Sequence, residues 1–287
     1  MGGTPASAAN SGKDIVMTFP CQRLSTIGAG KTGNEPCETI AGYRISTRNA
    51  ETSIELVQQW LNSTKKGHFF VCANPHSLEI ARSDPKFKRA ICEADLVTPD
   101  GIGVIIASRI QGGCIRSRVT GADIFWGLSK KLNQLSEYRY FFLGSTEKTL
   151  NLIRDKMRIE FPNIEVAGTF SPPFKREFTR AENREMVAAV NKAQPHVLWV
   201  GMTAPKQEKW IYQHKDQLDV PFIGAVGAVF DFFAGTKKRS GQWFQDHGYE
   251  WFPRLFREFH RVWYRNFISF PKFILRNVII RLSGNAH

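Results

Sequence analysis

Six short apolar runs bounded by glycine, proline, asparagine or aspartate recur along the chain, and this alternation constrains the fold more than any other feature. They lie at His68–Asn74, Ala94–Asp100, Tyr138–Gly144, Ile164–Thr169, His196–Gly201 and Val220–Gly227. Most are separated by amphipathic stretches of helical length. In Ser145–Phe161 the side chains Leu150, Ile153, Met157 and Phe161 form one stripe, and Ala181–Ala193 behaves alike. Strands that are apolar on both faces and alternate with helices require a sheet covered on both sides. The expected fold class is therefore α/β: a Rossmann-like, doubly wound, mainly parallel sheet. Such sheets bind ligands at the carboxyl ends of their strands, so the residues that follow each run are the candidates for function.

Those residues are small and polar: Asn74-Pro75-His76, Thr98-Pro99-Asp100-Gly101-Ile102-Gly103, Gly144-Ser145-Thr146, Gly201 through Glu208, and Gly224 through Gly227. One such loop is ordinary turn chemistry, but five at one sheet edge suit a sugar or phosphate approaching the backbone. Common alternatives are absent. The chain has no phosphate-binding G-x-x-x-x-G-K-[ST] loop, no H-E-x-x-H and no G-x-S-x-G. Gly101-Ile102-Gly103 lacks the third glycine of a dinucleotide fingerprint. No Asp-x-Asp triplet offers a divalent ion to a nucleotide diphosphate, so positive side chains are expected to neutralise phosphate, with no metal and no cofactor.

Charge points the same way. Across 287 residues, 39 Lys and Arg face 26 acids, a net charge of +13 that implies a polyanionic partner. Much of it sits in the tail. Arg254, Arg257, Arg261, Arg265, Lys272, Arg276 and Arg281 stand among many aromatic and aliphatic residues between Phe252 and His287, opposed by Glu258 alone. A basic, aromatic helix of this kind suits the headgroup region of an anionic membrane, and its large aliphatic side chains make nucleic acid a poor partner. No apolar run of about 18 residues spans a bilayer. Residues 1–39 read as a flexible leader, 40–240 as the sheet domain and 241–287 as the basic appendage. Five cysteines without a C-x-x-C pair suggest reduced thiols in a cytoplasmic protein.

Taken together in order, these residues resemble one family. Asn74, Pro99-Asp100-Gly101, Arg118 through Asp123, Phe142-Leu143-Gly144, Pro205 through Glu208, Gly227 with Phe230-Asp231, Gly235 through Arg239, and Glu250-Trp251 with Arg254-Leu255 follow the pattern of the WecG/TagA/CpsF glycosyltransferases. The resemblance implies an inverting, metal-independent transferase. Such an enzyme moves a sugar from a UDP-sugar (UDP-glucose, UDP-N-acetylmannosamine or its uronic acid) to a polyprenyl-diphosphate-linked sugar on the inner face of the plasma membrane. Asp100 matches the family's catalytic base, although an aspartate there also suits a helix N-cap. Arg118 matches an active-site arginine; the bland alternative is an ion pair with Asp123. Asn74 and Gln207 suit sugar hydroxyls, Glu208 is either a ligand contact or a helix-dipole residue, and Gly144 lies on a candidate binding loop. Arg239, Arg254, Arg257 and Arg261 match basic residues that close over the site. Two departures stand out: Cys72 replaces a usual threonine, and Arg239-Ser240-Gly241-Gln242-Trp243 lacks a usual Arg-Ala-Pro. A non-catalytic basic module that binds membrane or nucleic acid is the competing reading. Self-association is left open.

Overall fold

A computed structural model describes residues 36–135, 137–237 and 263–284. The chain opens with an antiparallel hairpin, β1 (Cys37–Ile40) and β2 (Tyr43–Ser46), and helix α1 (Ala50–Leu61). Next come β3 (His68–Ala73), α2 (Pro75–Ser83), α3 (Pro85–Cys92), β4 (Leu96–Pro99), α4 (Ile102–Ile110) and α5 (Gly121–Asn133). The second half runs β5 (Tyr138–Gly144), α6 (Glu147–Glu160), β6 (Ile164–Phe170), α7 (Arg180–Ala193), β7 (Val197–Gly201), α8 (Lys206–His214), β8 (Phe222–Ala225) and α9 (Val229–Ala234). A π-helical turn, Tyr264–Ser269, leads into the last described helix, α10 (Phe270–Gly284).

Strands β3 to β8 form one six-stranded sheet in the order β4-β3-β8-β7-β5-β6, every pair parallel. All six apolar runs become these strands, because residues such as Phe69, Phe142 and Trp199 are apolar and wholly buried whichever face they meet. One face carries α2, α3, α4, α7, α8, α10 and the hairpin; the other carries α1, α5, α6 and α9. The hairpin starts at Cys37, inside the stretch expected to be leader. It is held there by Glu38, whose carboxylate accepts from Ser108 Oγ at 2.7 Å and from the Ile115 N–H at 2.8 Å. Cys37, Cys72 and Cys92 are free thiols, but Cys114 is disulfide-bonded, which corrects the expectation of reduced thiols throughout.

The chain splays apart around the end of β8. Its neighbours β3 and β7 both lead into helices on one face, whereas β8 leads into α9 on the other. A crevice opens where successive crossovers diverge in this way. Helix α10 is packed on α2 and α4, the helices that follow β3 and β4, by the fully buried Phe273 and by an ion pair from Arg276 to Glu79 at 3.3 Å. A β-carbon on Gly103 would lie 2.5 Å from Pro75 Cγ and 2.8 Å from the Phe270 ring, so these three helices meet without spare room.

Candidate active site

Two adjacent strand ends form the floor. The Asp100 N–H donates to the Ala73 carbonyl at 2.8 Å, tying the end of β4 to the end of β3. One step back, the Thr98 hydroxyl lies 3.7 Å from Cys72 Sγ. The Val119 N–H donates to the Pro99 carbonyl at 2.9 Å, and this bond carries the Arg118 segment to the end of β4.

Asp100 is not the cap of the helix that follows it. Gly101 occupies that position with φ of +95°, and α4 has no side-chain cap bond. Among the described residues, a β-carbon on Gly101 would meet nothing within 4 Å, so none of them crowds the backbone beside Asp100. The positive φ and this space are what the glycine supplies. Asn74 does cap its helix: its Oδ1 accepts from the Ser77 N–H at 3.0 Å, completing a capping box on α2. That leaves the amide nitrogen of Asn74 with no partner among the described residues. The Asp123 carboxylate accepts from the Thr120 N–H and hydroxyl, both at 2.8 Å, in the capping box of α5.

Gln207 and Glu208 come from the first turn of α8. Both are buried, at 5% and 4% exposure, and a β-carbon on Gly227 would lie 3.5 Å from both polar atoms of the Gln207 amide. They therefore face the ends of β8 and β3 rather than solvent, which sets aside helix-dipole decoration as the account of Glu208. Burial pushes the Glu208 carboxyl up to about 7. Cys72 stands among these acids: burial first, then the negative charge of Asp100, with smaller contributions from Glu208 and Asp123, holds its thiol well above the ordinary range. The Cys72 side chain is thus a neutral thiol, a weak hydrogen-bond donor beside Thr98 and Gly121.

Asn74, Asp100, Arg118, Gln207 and Glu208 are thus gathered around the ends of β3, β4 and β8. Gly144 is elsewhere, at the end of β5 and separated from β8 by β7. It is buried against the Gly201 backbone, where β5 and β7 approach too closely for a side chain. Lys206 turns away as well, its ammonium 3.7 Å over the Phe178 ring. Arg239, Arg254, Arg257 and Arg261 lie outside the described residues. A cavity of about 650 Å³ sits at the amino ends of β5 and β6, lined by Arg139, Arg154, Arg158 and Glu165, far along the sheet from these acids.

One contact beside the crevice was not legible in the sequence. His76, two residues after Asn74, places its Nδ1 2.9 Å from Ser269 Oγ, and its ring packs edge-on against Tyr264. This joins the appendage to the first turn of α2. Neither residue belongs to a motif, and 193 positions separate the hydrogen-bonded pair.

Comparison with known proteins gives a consistent picture. The profile of the Glycosyl transferase WecG/TagA/CpsF family matches residues 38–286. An N-acetylglucosaminyldiphosphoundecaprenol N-acetyl-beta-D-mannosaminyltransferase of Bacillus spizizenii is 30% identical, covering 73% of this chain and 78% of its own. The protein of the same name in Bacillus subtilis is 28% identical over 83% of this chain and 90% of its own. A third, in Staphylococcus aureus, is 26% identical over 74% and 82%.

Proposed function

The chain belongs to the WecG/TagA/CpsF family of glycosyltransferases, and from that premise we propose that it transfers N-acetylmannosamine from a UDP-sugar to a polyprenyl-diphosphate-linked N-acetylglucosamine. The observation that supports the catalytic part is the placement of Asp100: an acidic residue at the carboxyl end of β4, tied to the end of β3, followed by a glycine cap that no other described residue crowds. The named activity of the three relatives supports the choice of sugar and acceptor over UDP-glucose or a uronic acid.

The chemistry is one displacement. Asp100 takes the proton of the acceptor hydroxyl as its oxygen bonds to the anomeric carbon, and the bond from that carbon to the diphosphate oxygen breaks on the opposite face. Configuration inverts, and UDP departs with the bonding electron pair. A carboxylate beside the attacking hydroxyl cannot also stabilise that departing charge, so this falls to cations. Arg118, whose segment is bonded to the end of β4, is the first candidate, and Arg239, Arg254, Arg257 and Arg261 are the further ones. Asn74 has its amide nitrogen to offer to sugar oxygens, and Gln207 an amide oxygen that no described residue engages to offer to sugar hydroxyls. Arginines in this role make a divalent ion unnecessary.

A panel of UDP-glucose, UDP-N-acetylmannosamine and its uronic acid, offered with polyprenyl-diphosphate N-acetylglucosamine and excess EDTA, tests the proposal. The expected result is transfer of N-acetylmannosamine at an undiminished rate. Transfer of another sugar alone would overturn the donor, and loss restored by magnesium would overturn metal independence.

The acceptor places the reaction at a membrane surface, and no described helix is long and apolar enough to cross one. Helix α10 instead exposes Leu275, Ile279, Ile280 and Leu282, with Trp263, Tyr264 and Phe267 exposed just before it. Lys272 and Arg281 lie among them. Such a surface lies on an anionic leaflet. Substituting Leu275 and Ile279 together by glutamate is expected to lower co-sedimentation with phosphatidylglycerol vesicles on the order of tenfold, because two apolar anchors become repelled charges. Unchanged co-sedimentation would remove α10 from the membrane contact.

A further inference from the structure

Among the described residues, two buried acceptor atoms in the first turn of α8 lack partners. Glu208 Oε1 accepts from Gln207 Nε2 at 2.9 Å, but Glu208 Oε2 and Gln207 Oε1 have no hydrogen-bond partner among the described residues. A buried lone pair left unmet is unfavourable, so the arrangement is suited to receive donors from outside the described residues, a bound ligand above all. Sugar hydroxyls and amide N–H groups are such donors.

The pair also has two hydrogen-bonding states. A carboxylate only accepts, so an ionised Glu208 obliges the amide to present Nε2 to it and Oε1 to the ligand. A protonated Glu208 can donate its O–H to Oε1, which turns the two Nε2 hydrogens outward. Resting on the sugar-transfer reading above, we propose that Glu208 is a positioning residue. Its protonation sets whether Gln207 meets the bound sugar as a hydrogen-bond acceptor or as a donor.

The surroundings place this switch in the neutral range. Burial raises the carboxyl to about 7, against opposing contributions from Gln207, the residue's own backbone N–H and Lys209. Lys209, on the same helix, is held 2.8 Å from Asp84 at the start of α3, which divides its charge between two acids. Among the described residues of the other elements, Cys72 at the end of β3 is the titratable group that feels Glu208; Asp100 at the end of β4 and Asp123 at the start of α5 act on that same thiol, and β8 contributes none. Raising pH through this midpoint ionises Glu208 and turns Gln207 into an acceptor; lowering it does the reverse.

The test follows the Gln207 side-chain amide by 15N–1H correlation in the full-length protein, assigned by its disappearance in Gln207→Leu. Across about two pH units on either side of 7, the wild-type signal is expected to move with one midpoint near neutrality, and the Glu208→Gln signal to stay still. A static wild-type signal, or one that titrates equally in Glu208→Gln, overturns the proposal. Should that variant fail to fold, a 13C carboxyl titration of Glu208 replaces it: a midpoint differing from that of the amide overturns the coupling. These readouts need no turnover, so a protein that transfers no sugar would sink the functional reading and leave this one to be judged separately. Where transfer is observed, KM for the sugar substrates follows the same midpoint in wild type and loses it in Glu208→Gln, with kcat less affected.

Discussion

Asp100→Asn is expected to reduce kcat for sugar transfer by a factor on the order of 10² to 10⁴, the usual worth of a positioned general base. Asparagine matches aspartate in shape but cannot take a proton, so the acceptor oxygen would have to attack while still a neutral alcohol. The substitution leaves the main-chain bonds at this position in place. The hydrogen bond from residue 100 to the Ala73 carbonyl is made by the backbone, and α4 takes no cap from this side chain. Thermal stability should therefore stay close to wild type while turnover collapses. Single-turnover transfer with saturating substrates, followed beside a melting curve, separates the two. Turnover within a few-fold of wild type would remove Asp100 as the base, and equal loss of activity and stability would assign it a structural part.

The opposite pattern is expected for Gly144→Ala. An added β-carbon would stand 2.5 Å from the Gly201 carbonyl oxygen and 2.7 Å from its carbon, and φ is +124°, a region that L residues rarely adopt. Both obstacles are backbone, so no side chain can swing aside. Prising β5 from β7 would also strain the bond from the Ser145 N–H to the Gly201 carbonyl at 3.1 Å. A loss of about 3 kcal/mol follows from strain and overpacking of this kind, which lowers Tm by roughly 6–12 °C in a domain of this size. The KM of the protein that remains folded should be unchanged. A raised KM with an unaltered Tm would return Gly144 to the binding site that its loop suggests.

Sheet, helices and site differ in how far they can be read from the chain. Runs such as Tyr138–Gly144 are legible because a strand buried on both faces must be apolar throughout, and this one matches the strand from end to end. The β1–β2 hairpin is not, because it is short, holds the half-buried Glu38, and depends on Ser108 and Ile115 from the far end of α4. Asp100, Asn74 and Gln207 announce themselves as polar residues at strand ends, whereas Gly144 announces itself in the same way for a different cause. A glycine demanded by a neighbouring backbone and a glycine demanded by a ligand look alike in one dimension.

By itself the amino-acid order determined the α/β class, the six strands, the basic character of the tail and the residue types available for sugar transfer. These are consequences of local periodicity and composition, which need no knowledge of the partner strand. Only the tertiary structure decided strand order, the divergence of crossovers around β8, the release of Asp100 from capping, and the meeting of Gln207 with Glu208 beside Cys72. Each of these depends on which distant segments share a surface, and burial, pKa and unmet hydrogen bonds exist only once those surfaces have closed.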